Sequence, residues 1–129
     1  MEDFNEKFDN QDLMLEATIC GSMKQRDLFP FAERLLVERF HNRGIIVNQP
    51  VLYYEDNYAR SLIPASVKEH LHEEKIIGSD FVLVVDGLFH DTAYFGTNTQ
   101  AEICTAQKYN VPVFYLSDLL SVDFNNVNT

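Results

Sequence analysis

"FVLVVD", residues Phe81 to Asp86, places five apolar residues in a row and ends on an acid. A strand with one solvated face alternates apolar and polar residues. An unbroken apolar run of this length predicts a strand covered on both faces, the kind found in parallel sheets. Working outward, "EATIC" (Glu16 to Cys20) is a short β-rich run ending at Gly21, and "IIVNQP" is a strand closed by Pro50. "VPVFYL" (Val111 to Leu116) is the last clear strand.

Helical signals lie between the strands. Leu28, Phe31, Leu35, Leu36 and Phe40 recur at helical spacing, and Gly44 accepts the left-handed cap that ends such a helix. Ser66 and Glu69 spell an S-x-x-E capping box. Val67, Leu71 and Glu74 begin the face of the helix that follows, and Gly78 ends it. Thr99 and Glu102 repeat the box before a helix running to about Tyr109, and Asp118 to Leu120 add a short turn.

Alternating strands and helices imply a parallel sheet with right-handed crossovers. The fold class expected is α/β: a small Rossmann-like or flavodoxin-like three-layer sandwich with a mainly parallel sheet of four or five strands. The 129 residues suit one domain and not two. It is expected over 15–120, between an acidic flexible arm (1–14) and a frayed tail (121–129).

Composition narrows the function. Hydrophobic residues make up 46% and charged residues 23%, as in a soluble globular protein, and no apolar run could cross a bilayer. The polar, acidic start is not a secretory leader, so a cytoplasmic location is expected. The net charge of −10 argues against nucleic acid polymers as partners, since phosphate neutralisation needs clustered Lys and Arg. Cys20 and Cys104 are too few for a disulfide scaffold, and both are expected to be reduced and packed. No CxxC or spaced Cys/His set suggests zinc, so no metal is expected.

In parallel α/β sheets ligands bind beyond the carboxyl ends of the strands. Three places qualify. The first is "CGSMK" after the first strand, an ordinary turn or an anion cradle built from Gly21, Ser22 and a helix start. The second, 49–64, is long for a connection and carries Tyr53, Tyr54, Tyr58 and Arg60. These could stack on a planar base, cover the sheet or form a subunit contact. The third is "YFGTNTQAEICTAQ" (Tyr94 to Gln107), where Glu102 is a helix cap or a catalytic carboxylate. The positive end of a helix favours an ionised carboxylate, and such a group can attack a sugar carbon. His70 shares a face with Val67 and Leu71 and is expected to be packed. His72 sits off that stripe and, on spacing alone, reads as solvated. His41 and His90 suggest no role.

"ATICGSM", "HEEKIIGSDFVLVVD" and "GTNTQAEICTAQKYNVPVFYL" together resemble the nucleoside 2-deoxyribosyltransferase superfamily, over roughly Ala17 to Leu116. The resemblance implies a small Rossmann-like enzyme that cleaves or transfers the N-glycosidic bond of a nucleoside, deoxynucleoside or 5′-monophosphate. Glu102 would be its nucleophile. His72 falls eight residues before Asp80, where the family usually has an aspartate that assists protonation of the base; Asp86 is the weaker candidate for that role. Gly21, Ser22 and Met23 would line the sugar or phosphate end, and Gly96, Asn98 and Thr99 would line the sugar pocket. No cofactor is implied, and a homo-oligomer is. Asn98 and Cys104 stand where glycines are common in the family, and Gly96 where transferases often have an acid. The alternative is a nucleotide-binding sensor or regulatory protein on the same fold, without catalysis.

Overall fold

The computed structural model describes residues 14–41, 44–50, 62–86 and 97–120. Within them four strands form one all-parallel sheet: β1 (Leu15–Gly21), β2 (Ile45–Asn48), β3 (Phe81–Val85) and β4 (Val113–Tyr115), in the order β2-β1-β3-β4. A 3₁₀ helix (Met23–Leu28) leads into α1 (Phe29–Arg39). Two more helices, α2 (Ala65–Ile77) and α3 (Thr97–Lys108), precede β3 and β4, and a final helical turn covers 116–120. This is the small Rossmann-like or flavodoxin-like α/β architecture expected.

Side chains alternate across the sheet and divide the core in two. On one face Leu15, Ala17 and Ile19 meet Phe81, Leu83, Val85 and Phe114, covered by Phe29, Ala32, Leu36 and Phe40 from α1 and by Leu119. Phe81 stands edge-on to Phe114, with ring centroids 5.8 Å apart. On the other face Val82 and Val84 pack with Ile76 of α2, Ala106 of α3 and Cys20. All five residues of β3 are buried, as its unbroken apolar run requires.

Several local readings are corrected. The stripe α1 buries is Phe29, Ala32, Leu36 and Phe40, which leaves Phe31 42% exposed. Neither capping box forms as expected. Pro64, in extended conformation, occupies the N-cap of α2, and its carbonyl accepts from Val67 and Lys68 N–H, so Ser66 lies one residue inside the helix. Proline carries no side-chain acceptor, and its fixed φ alone sets the helix start. Helix α3 starts at Thr97, which moves Thr99 into its first turn and Glu102 into its second.

The largest correction concerns α2. Its buried stripe is Lys68, His72 and Ile76, whereas Val67 and Leu71 are exposed. His70, expected to be packed, is exposed and paired with Glu74 at 3.1 Å; His72, expected to be solvated, is 5% exposed. The reason is what lies opposite. Thr18 on β1 meets the Lys75 carbonyl and the Ser79 hydroxyl, and Cys20 faces His72, so a polar stripe finds polar partners there. Cys104, expected to be packed, is exposed; both cysteines are free.

Candidate functional site

The strand order reverses direction at β1 and β3: the chain passes outward from β1 to β2, then returns to β3 beside β1. That is the switch point where open parallel sheets form a crevice beyond the strand ends. Gly21 ends β1 there, opposite Val85. A Cβ on Gly21 would meet Phe29 Cε1 at 3.0 Å and Val85 Cβ at 3.3 Å, so glycine is present because β1, β3 and α1 converge too tightly for a side chain. Ser22 Oγ accepts from Lys24 N–H at 3.2 Å and caps the 3₁₀ helix, the ordinary-turn reading of this segment. Met23 starts that helix.

The notable gathering lies one residue back, on the face covered by α2 and α3. Cys20, the penultimate residue of β1, points between the two helices. Its Sγ lies 3.7 Å from His72 Nε2, and His72 Nε2 lies 3.6 Å from Glu102 Oε2. The thiol, imidazole and carboxylate all lie within 4.8 Å of one another. Helical spacing delivers both partners. Lys68, His72 and Ile76 are four apart on α2, and Thr99, Glu102 and Ala106 form the inward face of α3.

The electrostatics are unusual for an interior. Glu102 Oε2 and His72 Nδ1 are buried with no hydrogen-bond partner among the described residues. Buried polar atoms are nearly always paired, and an orphan points to something missing. Burial pushes the Cys20 thiol well above its ordinary 9.0, and the Glu102 charge pushes it the same way. Cys20 is therefore a neutral thiol in the isolated chain.

Glu102 is also the group that opens outward. It lines a cleft of ≈ 150 Å³ together with Asn98, Ala101 and Thr105 from α3 and Glu69, Glu73 and Ile76 from α2. This is smaller than the roughly 300 Å³ at which ligand sites usually begin. Among the described residues there is room for a sugar-sized fragment.

The structure thus brings Glu102, His72 and Asn98 to one locality. It does not add Asp86 or Thr99. Asp86 is buried, with Oδ1 accepting from Ser117 N–H at 3.0 Å and Oδ2 from Ser117 Oγ at 2.6 Å. Its carboxylate pins the final helical turn and raises the titration of Tyr115, after burial of that phenol. Thr99 is buried under α3 rather than lining the cleft. Gly96, the Met23 side chain and the four residues Tyr53, Tyr54, Tyr58 and Arg60 lie outside the described residues.

Sequence reasoning missed three members. Cys20 was read only as a packed thiol and Glu69 as half of a capping box, and Glu73 was given no role. The retrievable signal was spacing: Glu69 and Glu73 are four apart on the face beside His72.

Fold and locality together define an α/β protein with a parallel sheet and a carboxylate site beside its switch point. No family model, curated protein or solved structure matches the chain. Among the described residues, no helix is long and apolar enough to cross a membrane.

Proposed function

We propose that this protein cleaves or exchanges the N-glycosidic bond of a nucleoside or deoxynucleoside, with Glu102 as the nucleophile. One observation carries the reading. Glu102 Oε2 is a buried carboxylate oxygen without a hydrogen-bond partner, beside His72, on a side chain that lines a cleft. An unsolvated, unpaired oxygen is a stronger nucleophile than a hydrated one and costs stability to maintain. The family resemblance points to the same residue.

Glu102 attacks the anomeric carbon. The C–N bond breaks and its electron pair leaves on the base nitrogen, which takes up a proton. Water or a second base then displaces the carboxylate from the opposite side, and the acceptor loses its proton. His72 touches the nucleophile itself, at 3.6 Å, whereas the departing base lies on the far side of the sugar. In this arrangement His72 orients Glu102, and the proton comes from across the cleft. Glu69 and Glu73 are the other titratable groups among its described lining residues, and they are the candidates for that role. Three carboxylates, with no lysine or arginine among the described lining residues, favour a neutral nucleoside over its 5′-monophosphate here. Asn98 lines the cleft and would meet a sugar hydroxyl.

Base release is the test. The purified chain is incubated with ribo- and deoxynucleosides and their monophosphates, with and without an acceptor base, beside Glu102→Ala. The expected result is release that falls by roughly 10³-fold or more in the variant, with a glycosyl adduct on Glu102 after acid quench. Tight nucleotide binding without release from any compound would instead support a sensor.

A further inference from the structure

The Cys20, His72 and Glu102 side chains come from three different elements: β1, α2 and α3. Their donor atoms converge, with Glu102 Oε2 left without a hydrogen-bond partner among the described residues. The Nε2 to Oε2 distance of 3.6 Å exceeds hydrogen-bond reach, while Sγ and Nε2 at 3.7 Å form a weak sulfur hydrogen bond. Neighbouring ligand atoms around a tetrahedral zinc ion stand at such separations. With Zn–S near 2.3 Å and Zn–N and Zn–O near 2.0 Å, the S to N edge is about 3.5 Å and the N to O edge about 3.3 Å, each a little shorter than the separation seen here. All three donor atoms lie within 4.8 Å of one another, so a small inward movement of the side chains would close them around an ion.

We propose that Cys20 Sγ, His72 Nε2 and Glu102 Oε2 form a binding site for a borderline-soft divalent cation, for which Zn²⁺ is the fitting probe. A thiolate, a neutral imidazole and a carboxylate are a zinc donor set, and three protein ligands leave a fourth position open. Charge supports the assignment. Binding displaces the thiol proton to solvent, and the resulting thiolate and carboxylate neutralise the dication, so the buried site carries no net charge. The cation also satisfies Glu102 Oε2, the orphan oxygen. Access runs through the cleft, where Glu69 and Glu73 attract cations past the exposed edge of Glu102.

The site stands whether or not Glu102 is a nucleophile. If it is, one consequence resting on that reading follows: the oxygen that holds zinc cannot attack a sugar, so zinc inhibits base release.

The experiment is a Co²⁺ titration of the full chain after chelator treatment, followed by Zn²⁺ displacement. The expected result is a thiolate-to-cobalt charge-transfer band that saturates at one ion per chain and is abolished by Zn²⁺. Cys20→Ser removes the band, Cys104→Ser keeps it, and His72→Ala weakens binding by more than about tenfold. Circular dichroism of the metal-free variants checks folding. X-ray absorption of the zinc-loaded wild type, one sulfur per zinc expected, gives a readout that needs no variant. No charge-transfer band, or one that survives Cys20→Ser, overturns the proposal; so does a zinc shell without sulfur. A Cys20-dependent band in a protein that releases no base keeps the metal site and removes the glycosidic reading. Base release by a protein without the band does the reverse.

Discussion

The two faces of the sheet are made from alternate residues of the same strands, yet they are built to different rules. The face under α1 is mainly apolar, with Phe29, Leu36, Phe81 and Leu83 fully buried and a buried Gln49 at its edge donating to the Phe29 carbonyl and to Glu33. The face under α2 and α3 has apolar contacts at Val82, Val84, Ile76 and Ala106, but Thr18, Cys20, Lys68, His72 and Glu102 run through it. One face supplies stability. The other gives some up to hold a thiol, an imidazole and a carboxylate out of water, where their interactions are strongest.

The comparison breaks most severely at Phe81. Phe81→Ala removes the ring between Phe40 and Phe114 and is expected to cost about 3–5 kcal/mol, read as a lower urea midpoint. The Co²⁺ band should persist wherever that variant stays folded. Next in size is Gly21→Ala, at the point where both faces meet the switch. Its new methyl presses on Phe29 and Val85 and should destabilise by roughly 1–3 kcal/mol, measured the same way.

Glu102→Gln sharpens the contrast by acting in the opposite direction. Replacing a partly buried charge that has an unpaired oxygen should raise the unfolding free energy by about 1 kcal/mol while base release is lost. A stability loss of that size would mean that Glu102 serves the fold.

The smallest effect is on the thiols. In chelator-treated native protein a disulfide reagent should titrate exposed Cys104 and spare buried Cys20, which reacts only on unfolding. The same burial has a pH signature. The folded thiol keeps its proton above the ordinary 9.0, while the unfolded chain releases it. The native state then binds more protons, so stability falls as pH rises past about 9, until the folded thiol also ionises. Cys20→Ala should flatten that decline in urea midpoints measured from pH 8 upward.

Much of the apolar face was readable in advance. "FVLVVD" announced a strand covered on both sides, and Gly21 marked the end of the first strand; the first helix instead ends at Arg39 with Phe40 as its C-cap, and Gly44, left-handed with φ of 85°, stands just before β2. The polar face was not readable. Hydrophobic periodicity assumes that the apolar stripe of a helix turns inward. On α2 this selected Val67, Leu71 and His70, and the sheet took Lys68, His72 and Ile76 instead. Spacing along one helix cannot register that β1 offers Thr18 and Cys20 at that position. Glu102 was singled out as a helix cap or a catalytic carboxylate; helix α3 begins two residues earlier than expected and turns it toward His72.

Local periodicity and turn chemistry sufficed for the α/β class and the parallel strands, and the family resemblance for Glu102 as the carboxylate to test. Only the tertiary structure decided that Cys20, His72 and Glu102 meet. They come from 52 residues apart in one pair and from separate elements throughout. Which side chains share a buried space depends on how helices rotate against a sheet, and that rotation is set by the partners each face finds when the chain closes.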